Sequence, residues 1–468
     1  MKEKSAAVIS GSGLSRRVFL QRASLATAAF TILPRHVLSG AGQTPPSAKL
    51  NIAAVGVGGM GHNNLKRCAE GNNIVALCDV DHKLAGKAFK EFPAARTYKD
   101  FRVMFDQQQD IDAVIIATPD HTHAPIALAA MERGKHVYVQ KPLAHSVKEV
   151  RLMTEAARKY KVVTQMGNQG HSGEGCRLTR EWILDGAIGN VHEVHCWTNR
   201  PVWPQGIEVG RPAEKPAVPE HLDWDLWIGP AAMRPYHPTY HPRSWRAWWD
   251  FGTGSLGDLG CHIMDAPFWV LDLKYPSSVE GNISTYWGDF WKKTTPKNEQ
   301  YPRSTIVRYK FPARGALPPV RLTWWDGGLM PPRPEELAPG QPMGDDDGGV
   351  LFIGDKGQLI CGCYGKNPRL LPDDAMRAYK KPAKTLARIP EGENGHEQDW
   401  LRACKGGAPA CSNFDYAGPL SEMVLMGNLA VRFPERKILW AGEQMAVTND
   451  PEANAFLTPN YREGWKLG

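Results

Sequence analysis

Leu50-Asn51-Ile52-Ala53-Ala54-Val55-Gly56-Val57-Gly58-Gly59-Met60-Gly61 decides how this 468-residue chain is read. A short apolar run enters a turn of form G-x-G-x-x-G, and a helical pattern follows it. Each glycine has a separate physical task. Gly56 permits the tight turn, Gly58 lets the backbone approach a pyrophosphate, and Gly61 lets helix and strand pack closely. Phosphates then sit at the helix N-terminus, where unpaired N–H groups and the helix dipole attract anions. The next apolar run ends at Asp79, 18 residues after Gly61. A carboxylate there accepts both ribose hydroxyls and repels a 2′-phosphate, so NAD is expected rather than NADP. Asp81 is the alternative carboxylate.

Outward from this turn, residues 49–167 alternate in a βαβ rhythm. Leu50–Val55, Ile74–Cys78, Ala113–Ala117, His136–Val139 and Val162–Met166 read as buried parallel strands. Helical patterns lie between them, near 61–70, 81–91, 123–133 and 146–160. The expected fold class is α/β: an N-terminal Rossmann domain, residues 48–167, with a doubly wound parallel sheet. After residue 170 the texture changes. A helix at Gly175–Asp185 precedes alternating strands such as Val191–Trp197 and Thr305–Phe311, broken by many Trp, Pro and Gly residues. This predicts a C-terminal α+β domain over 168–440, built on a mixed, mostly antiparallel open sheet. Pro331–Gly349 reads as a surface loop, Ser421–Arg432 as a helix, and 441–468 as a tail.

Composition narrows the function. Hydrophobic residues make up 42% and charged residues 22%, a globular balance. The net charge is +7, but six basic residues against one acid in residues 1–41 account for five of those charges. The near-neutral remainder gives no electrostatic case for nucleic acid. No apolar run is long enough to span a bilayer. Ser15-Arg16-Arg17-Val18-Phe19-Leu20 matches the twin-arginine export pattern. An uncharged apolar stretch from Ala23 to Leu33 follows it, then small residues at Ser39-Gly40-Ala41. Residues 1–41 are therefore expected to be a signal peptide, and the mature chain to be periplasmic or otherwise exported. The nine cysteines read as small buried hydrophobes, with a Cys404–Cys411 disulfide open in an oxidising compartment.

Three further segments carry a resemblance. Ala117-Thr118-Pro119-Asp120-His121-Thr122-His123 is similar to T-P-x-x-x-H, Gln140-Lys141-Pro142 to E-K-P, and Gly254–Asp265 to G-x-x-x-D-x-G-x-H-x-x-D. Together with the glycine turn they resemble the glucose–fructose oxidoreductase, inositol dehydrogenase and MocA family. The resemblance implies NAD-dependent oxidation of a sugar or polyol hydroxyl. In that reading His262 is the acid/base, Lys141 polarises the same hydroxyl, and Asp258 binds substrate or orients the histidine. Pro119 and His123 would lie along the cofactor, and Asn168 and Gln169 near its nicotinamide. Gln140 departs from the family's Glu, which should leave Lys141 less strongly held in its protonated form. An oligomer is implied by resemblance alone.

The residues agree with this chemistry. Lys141 follows a strand, at the edge where open α/β sheets bind ligands. Asp258 and His262 share a face if their segment is helical. Tyr240, His241 and Arg243, in an aromatic-rich stretch, are the expected substrate contacts. His237 and His241 lack a nearby carboxylate at metal-ligand spacing, so no metal is expected. Two other functions use the same parts. One is an NAD-dependent glycosidase or lyase that oxidises, eliminates and reduces in a closed cycle. The other is a nucleotide-bound binding protein without chemistry.

Overall fold

The computed structural model describes residues 48–206, 210–289, 292–294 and 299–467. The export segment expected at residues 1–41 lies outside them. Residues 50–468 form one compact unit containing two large sheets.

The first sheet contains β1 (Asn51–Val55), β2 (Asn73–Cys78), β3 (Arg96–Tyr98), β4 (Ala113–Ile116), β5 (His136–Val139) and β6 (Thr164–Met166). Its order is β3-β2-β1-β4-β5-β6, and every pairing is parallel. The strand order reverses at β1 and β4, which opens a crevice beyond their carboxyl ends. The inner strands are apolar because helices cover both faces; Ile52, Ala53, Ala54 and Val114 are fully buried. The sequence rhythm passed over β3 and the helix Phe101–Gln107. Both are short, and the helix start depends on Asp100 accepting from the Arg102 backbone N–H.

The second sheet contains β7 (Val191–Thr198), β8 (Ser278–Ile283), β11 (Thr305–Phe311), β12 (Val320–Trp325), β13 (Gly348–Gly354), β14 (Gln358–Gly362), β15 (Arg369–Leu371), β16 (Lys437–Ala441) and β17 (Ala446–Val447). Its order is β15-β14-β13-β7-β12-β11-β8-β16-β17; only β7 and β12 pair in parallel. A separate hairpin joins β9 (Tyr286–Asp289) and β10 (Lys292–Thr294).

The helix Phe414–Arg432 packs on β8 and β11, on the Rossmann helix Val147–Tyr160 and on the helix Gly254–Ile263. It begins seven residues before the expected start. Pro419 lies inside it, Asn413 caps its start, and almost every side chain beyond is buried. The stretch expected as a tail, 441–468, is structured where it is described: residues 442–467 form β17 and the helix Pro451–Ala455, then return to the first sheet's side. There Arg462 pairs with Asp225 at 2.9 Å and Arg102 lies 4.8 Å over the Trp465 ring. All nine cysteines are free, so Cys404 and Cys411 form no disulfide.

Candidate active site

A cleft of about 660 Å³ runs from the glycine turn to the start of the helix Gly254–Ile263. That volume lies within the range of small-molecule and cofactor sites. At one end, the helix Gly59–Ala69 starts without a side-chain cap and without an acid in its first turn. Its free N–H groups remain for an anion. A Cβ on Gly56, where φ is +79°, would come within 2.7 Å of the Ala117 carbonyl. A Cβ on Gly61 would collide with the Gly56 carbonyl oxygen. The turn is therefore as tight as a dinucleotide cradle requires.

Asp79 lines the cleft and ties the turn to β2: it accepts from Val57 N at 2.8 Å and from Asp81 N at 2.9 Å. Burial raises its pKa, against the pull of these backbone N–H groups. Asp81 is occupied elsewhere. It caps the helix His82–Glu91 and bonds His221 at 2.9 Å and His241 at 2.7 Å. These partners leave Asp79 as the carboxylate open to the ribose. His241 lines the cleft too, so the second half of the chain is strapped over the nucleotide end.

At the other end the structure brings together Lys141, Asp258 and His262. Lys141 follows β5, and its Nζ donates to Asp258 Oδ1 at 2.9 Å and to the Asp258 carbonyl. The segment carrying Asp258 and His262 is helical, so both face the cleft. Burial opposes charge on Asp258, but Lys141, Arg246 and Arg200 outweigh it and hold the carboxyl well below its usual range. Arg200 and Arg246 both approach Asp258 at 3.4 Å. His262 is 4% exposed. Burial first, then the Lys141 charge, push its pKa well below that of a free imidazole, so it is neutral. Its Nδ1 is buried without a hydrogen-bond partner, and the Tyr364 ring packs edge-on at 4.7 Å.

The anion expected at position 140 is supplied differently. Gln140 donates to Asn64 at 2.9 Å, and Asn64 donates to Glu397 at 2.6 Å. The carboxylate against Lys141 is Asp258, which sequence separation hid.

Other expected residues are placed apart. Pro119 and Gln169 line the cleft, as do Gly58 and Arg243. His123 does not: it is fully buried, with its ring nitrogens 2.9 Å from the carbonyls of Pro142 and Thr118. It clamps two loops beneath the cleft and is not a cofactor contact. Asn168 is likewise buried, accepting from Ser412 at 2.6 Å. Tyr240 packs in an aromatic cluster with Trp224, Trp248 and Phe251 and is 2% exposed, so it is core and not a substrate contact. Sequence reading missed Arg200, Arg246 and Tyr364. The first two stand in the Trp-rich segments whose make-up suits sugars. Tyr364 sits in a turn with φ of +62°, which no local signal announces.

A parallel dinucleotide crevice, a second sheet carrying the helix of Asp258 and His262, and a lysine between them define a dinucleotide-binding architecture of two sheets. Comparison with known proteins agrees. Residues 50–168 match the family model described as oxidoreductase family, NAD-binding Rossmann fold, and residues 194–290 its C-terminal alpha/beta domain. Residues 50–168 and 194–290 thus carry the two domains of the Gfo/Idh/MocA oxidoreductase family, the first of them NAD-binding.

Levoglucosan dehydrogenase of Pseudarthrobacter phenanthrenivorans is 28% identical over 40% of this chain and 40% of its own length. Inositol 2-dehydrogenase of Serratia proteamaculans is 28% identical over 32% of this chain and 46% of its own. The matched stretch thus spans about half or less of these relatives. Among solved structures, the WlbA dehydrogenase of Bordetella pertussis in complex with NADH and UDP-GlcNAcA has a TM-score of 0.58 at 17% identity, covering 84% of this chain and 99% of that one. Levoglucosan dehydrogenase in complex with NADH and L-sorbose has a TM-score of 0.56 at 18% identity, covering 83% and 98%. At these identities the structures establish a shared fold.

Proposed function

We propose that this protein is an NAD-dependent dehydrogenase of a sugar or sugar-like polyol. One observation carries the reading: Lys141, Asp258 and His262 converge on the cleft that the glycine turn and Asp79 open at its far end. The dehydrogenases of levoglucosan and inositol among its relatives support the substrate class.

Bound NAD would supply the hydride acceptor at its nicotinamide. The chain's residues do the rest. The helix start at Gly59 would hold the pyrophosphate, and Asp79 would hold a ribose. Lys141, kept in place by Asp258, polarises the hydroxyl being oxidised. Neutral His262 takes the hydroxyl proton. Its Nε2 is the nitrogen available for this, because Nδ1 is enclosed. With Nε2 free to accept, the proton of the neutral ring sits on Nδ1, and burial together with the nearby Lys141 charge makes Nε2 a weak base. Trp203 and Trp245, which line the same end, offer apolar faces to sugar C–H surfaces.

The test is NAD-linked oxidation by the NAD-loaded protein across sugars, polyols and aryl glycosides, read by reduced-nicotinamide absorbance and product analysis. Reduced cofactor accumulating with an oxidised sugar is the expected result. Glycoside cleavage without net reduction would replace the reading with the closed oxidation–elimination–reduction cycle. Neither reaction would leave a binding protein. The pH profile adds a signature. His262 titrates well below 6.5. Hence kcat/KM should stay level as pH falls through 6.5 and drop only further to the acid side. An acid limb centred at or above 6.5 would assign the base elsewhere.

We also propose export through the twin-arginine route, on the pattern Ser15–Leu20 with its apolar stretch. Replacing Arg16 and Arg17 with lysine should hold the full-length protein in the cytoplasm. Unchanged export of that variant would dismiss the proposal.

A further inference from the structure

The guanidinium of Arg246 stands in the cleft wall with its terminal nitrogens unbonded among the described residues. Its Cζ lies 4.2 Å from the Trp245 ring centre and 5.8 Å from that of Trp203, so the cation sits between two indoles. Its Nε approaches Asp258 at 3.4 Å, but among the described residues neither terminal nitrogen makes a hydrogen bond. Asp258 is already bonded by Lys141 at 2.9 Å and approached by Arg200. Arg200 has a further partner in Asp347 at 3.0 Å. Three cations therefore share one mostly buried carboxylate; Arg200 alone has a second, and Lys141 is hydrogen-bonded to Asp258 twice, which leaves Arg246 as the cation whose terminal nitrogens are unbonded. Arg243 adds an exposed positive charge on the same cleft, with no ion pair among the described residues.

We propose that Arg246 is a carboxylate fork in the substrate site, and that the substrate is an acidic carbohydrate, a uronic or aldonic acid. The proposal rests on the reading of this cleft as a sugar site. A planar guanidinium held against an indole presents its two terminal N–H groups edge-on, the geometry that a carboxylate accepts bidentately. A neutral sugar leaves that edge unpaired in a partly desolvated cleft, at a cost in affinity. The carboxylate would meet Arg246 while a ring hydroxyl reaches Lys141, since both cations touch the same Asp258 oxygen. The sugar ring would lie on the exposed parts of Trp203 or Trp245.

Calorimetric titration of the NAD-loaded full chain tests this with D-glucuronate against D-glucose, D-galacturonate against D-galactose, and D-gluconate against D-glucitol. At least one acid should bind about tenfold or more tightly than its neutral parent. Added salt should narrow the difference. Arg246→Met should bring the acid-to-neutral ratio to about one, and Arg246→Lys, which keeps charge but loses the fork, should keep part of it. The proposal is overturned if no acid outbinds its parent, if Arg246→Met weakens both members of a pair alike, or if sugar 6-phosphates bind more tightly than the uronates. The readout is binding, so failure of NAD reduction with the acid preference intact would refute the dehydrogenase reading and leave this one standing.

Discussion

Lys141→Ala and His262→Ala should each lower NAD-linked turnover by about 10²–10⁴-fold, the range for removal of a positioned acid or base, with NAD still bound. The two side chains stand at the Asp258 end of the cleft, whereas the phosphate cradle and Asp79 form the other end. Cofactor affinity and chemistry should therefore separate. Losing Lys141 also leaves Asp258 without its closest cation, though Arg200 and Arg246 remain at 3.4 Å. His262→Ala opens a small space beside Tyr364 and removes no hydrogen bond, so its effect on stability should be the smaller. Single-turnover kinetics with co-measured bound NAD would check both variants. Either one retaining near-wild-type turnover would remove the site assignment.

The second large effect is expected at Gly61. An alanine there places a methyl group inside the Gly56 carbonyl, and that atom is backbone, unable to swing aside. The helix Gly59–Ala69 must lift from β1, at a cost above the roughly 1–3 kcal/mol of ordinary overpacking. The N–H groups that face the phosphates move with it. Gly61→Ala should lose bound NAD and melt several degrees lower. Gly59→Ala is the informative contrast. Its φ is +49° and its Cβ would meet nothing within 4 Å. Only the left-handed backbone penalty, about 1–2 kcal/mol, applies there. Thermal unfolding and nicotinamide content measured on both variants would decide. If Gly61→Ala retains NAD as well as Gly59→Ala does, close packing at that turn is not what builds the cradle.

Much of the nucleotide half was legible because its signals are local. A turn that needs glycine at Gly56 and Gly61, an apolar run before it and an acid after the next run all fall within about thirty residues. The strands Ala113–Ile116 and His136–Val139 are buried on both faces and so read as plain apolar runs. His123 and Tyr240 went the other way. A histidine in a cofactor-side motif and a tyrosine in an aromatic stretch carry no local mark of burial. His123 is fully enclosed between two loops, and Tyr240 by rings from residues 224 to 251.

The sequence by itself determined the Rossmann half and its NAD-binding turn, which depend on residue type and short spacing that the backbone reads directly. It offered Lys141, Asp258 and His262 as candidates through motifs that resemble a family's. Tertiary structure alone decided how charge is arranged around them. Asp258 meets Lys141 across 117 residues and Asp81 meets His241 across 160. Arg246 reaches Asp258 only because the turn carrying it is packed beside the helix Gly254–Ile263. Electrostatics acts through space over a few ångströms, and no spacing along the chain encodes which distant residues folding brings within that reach.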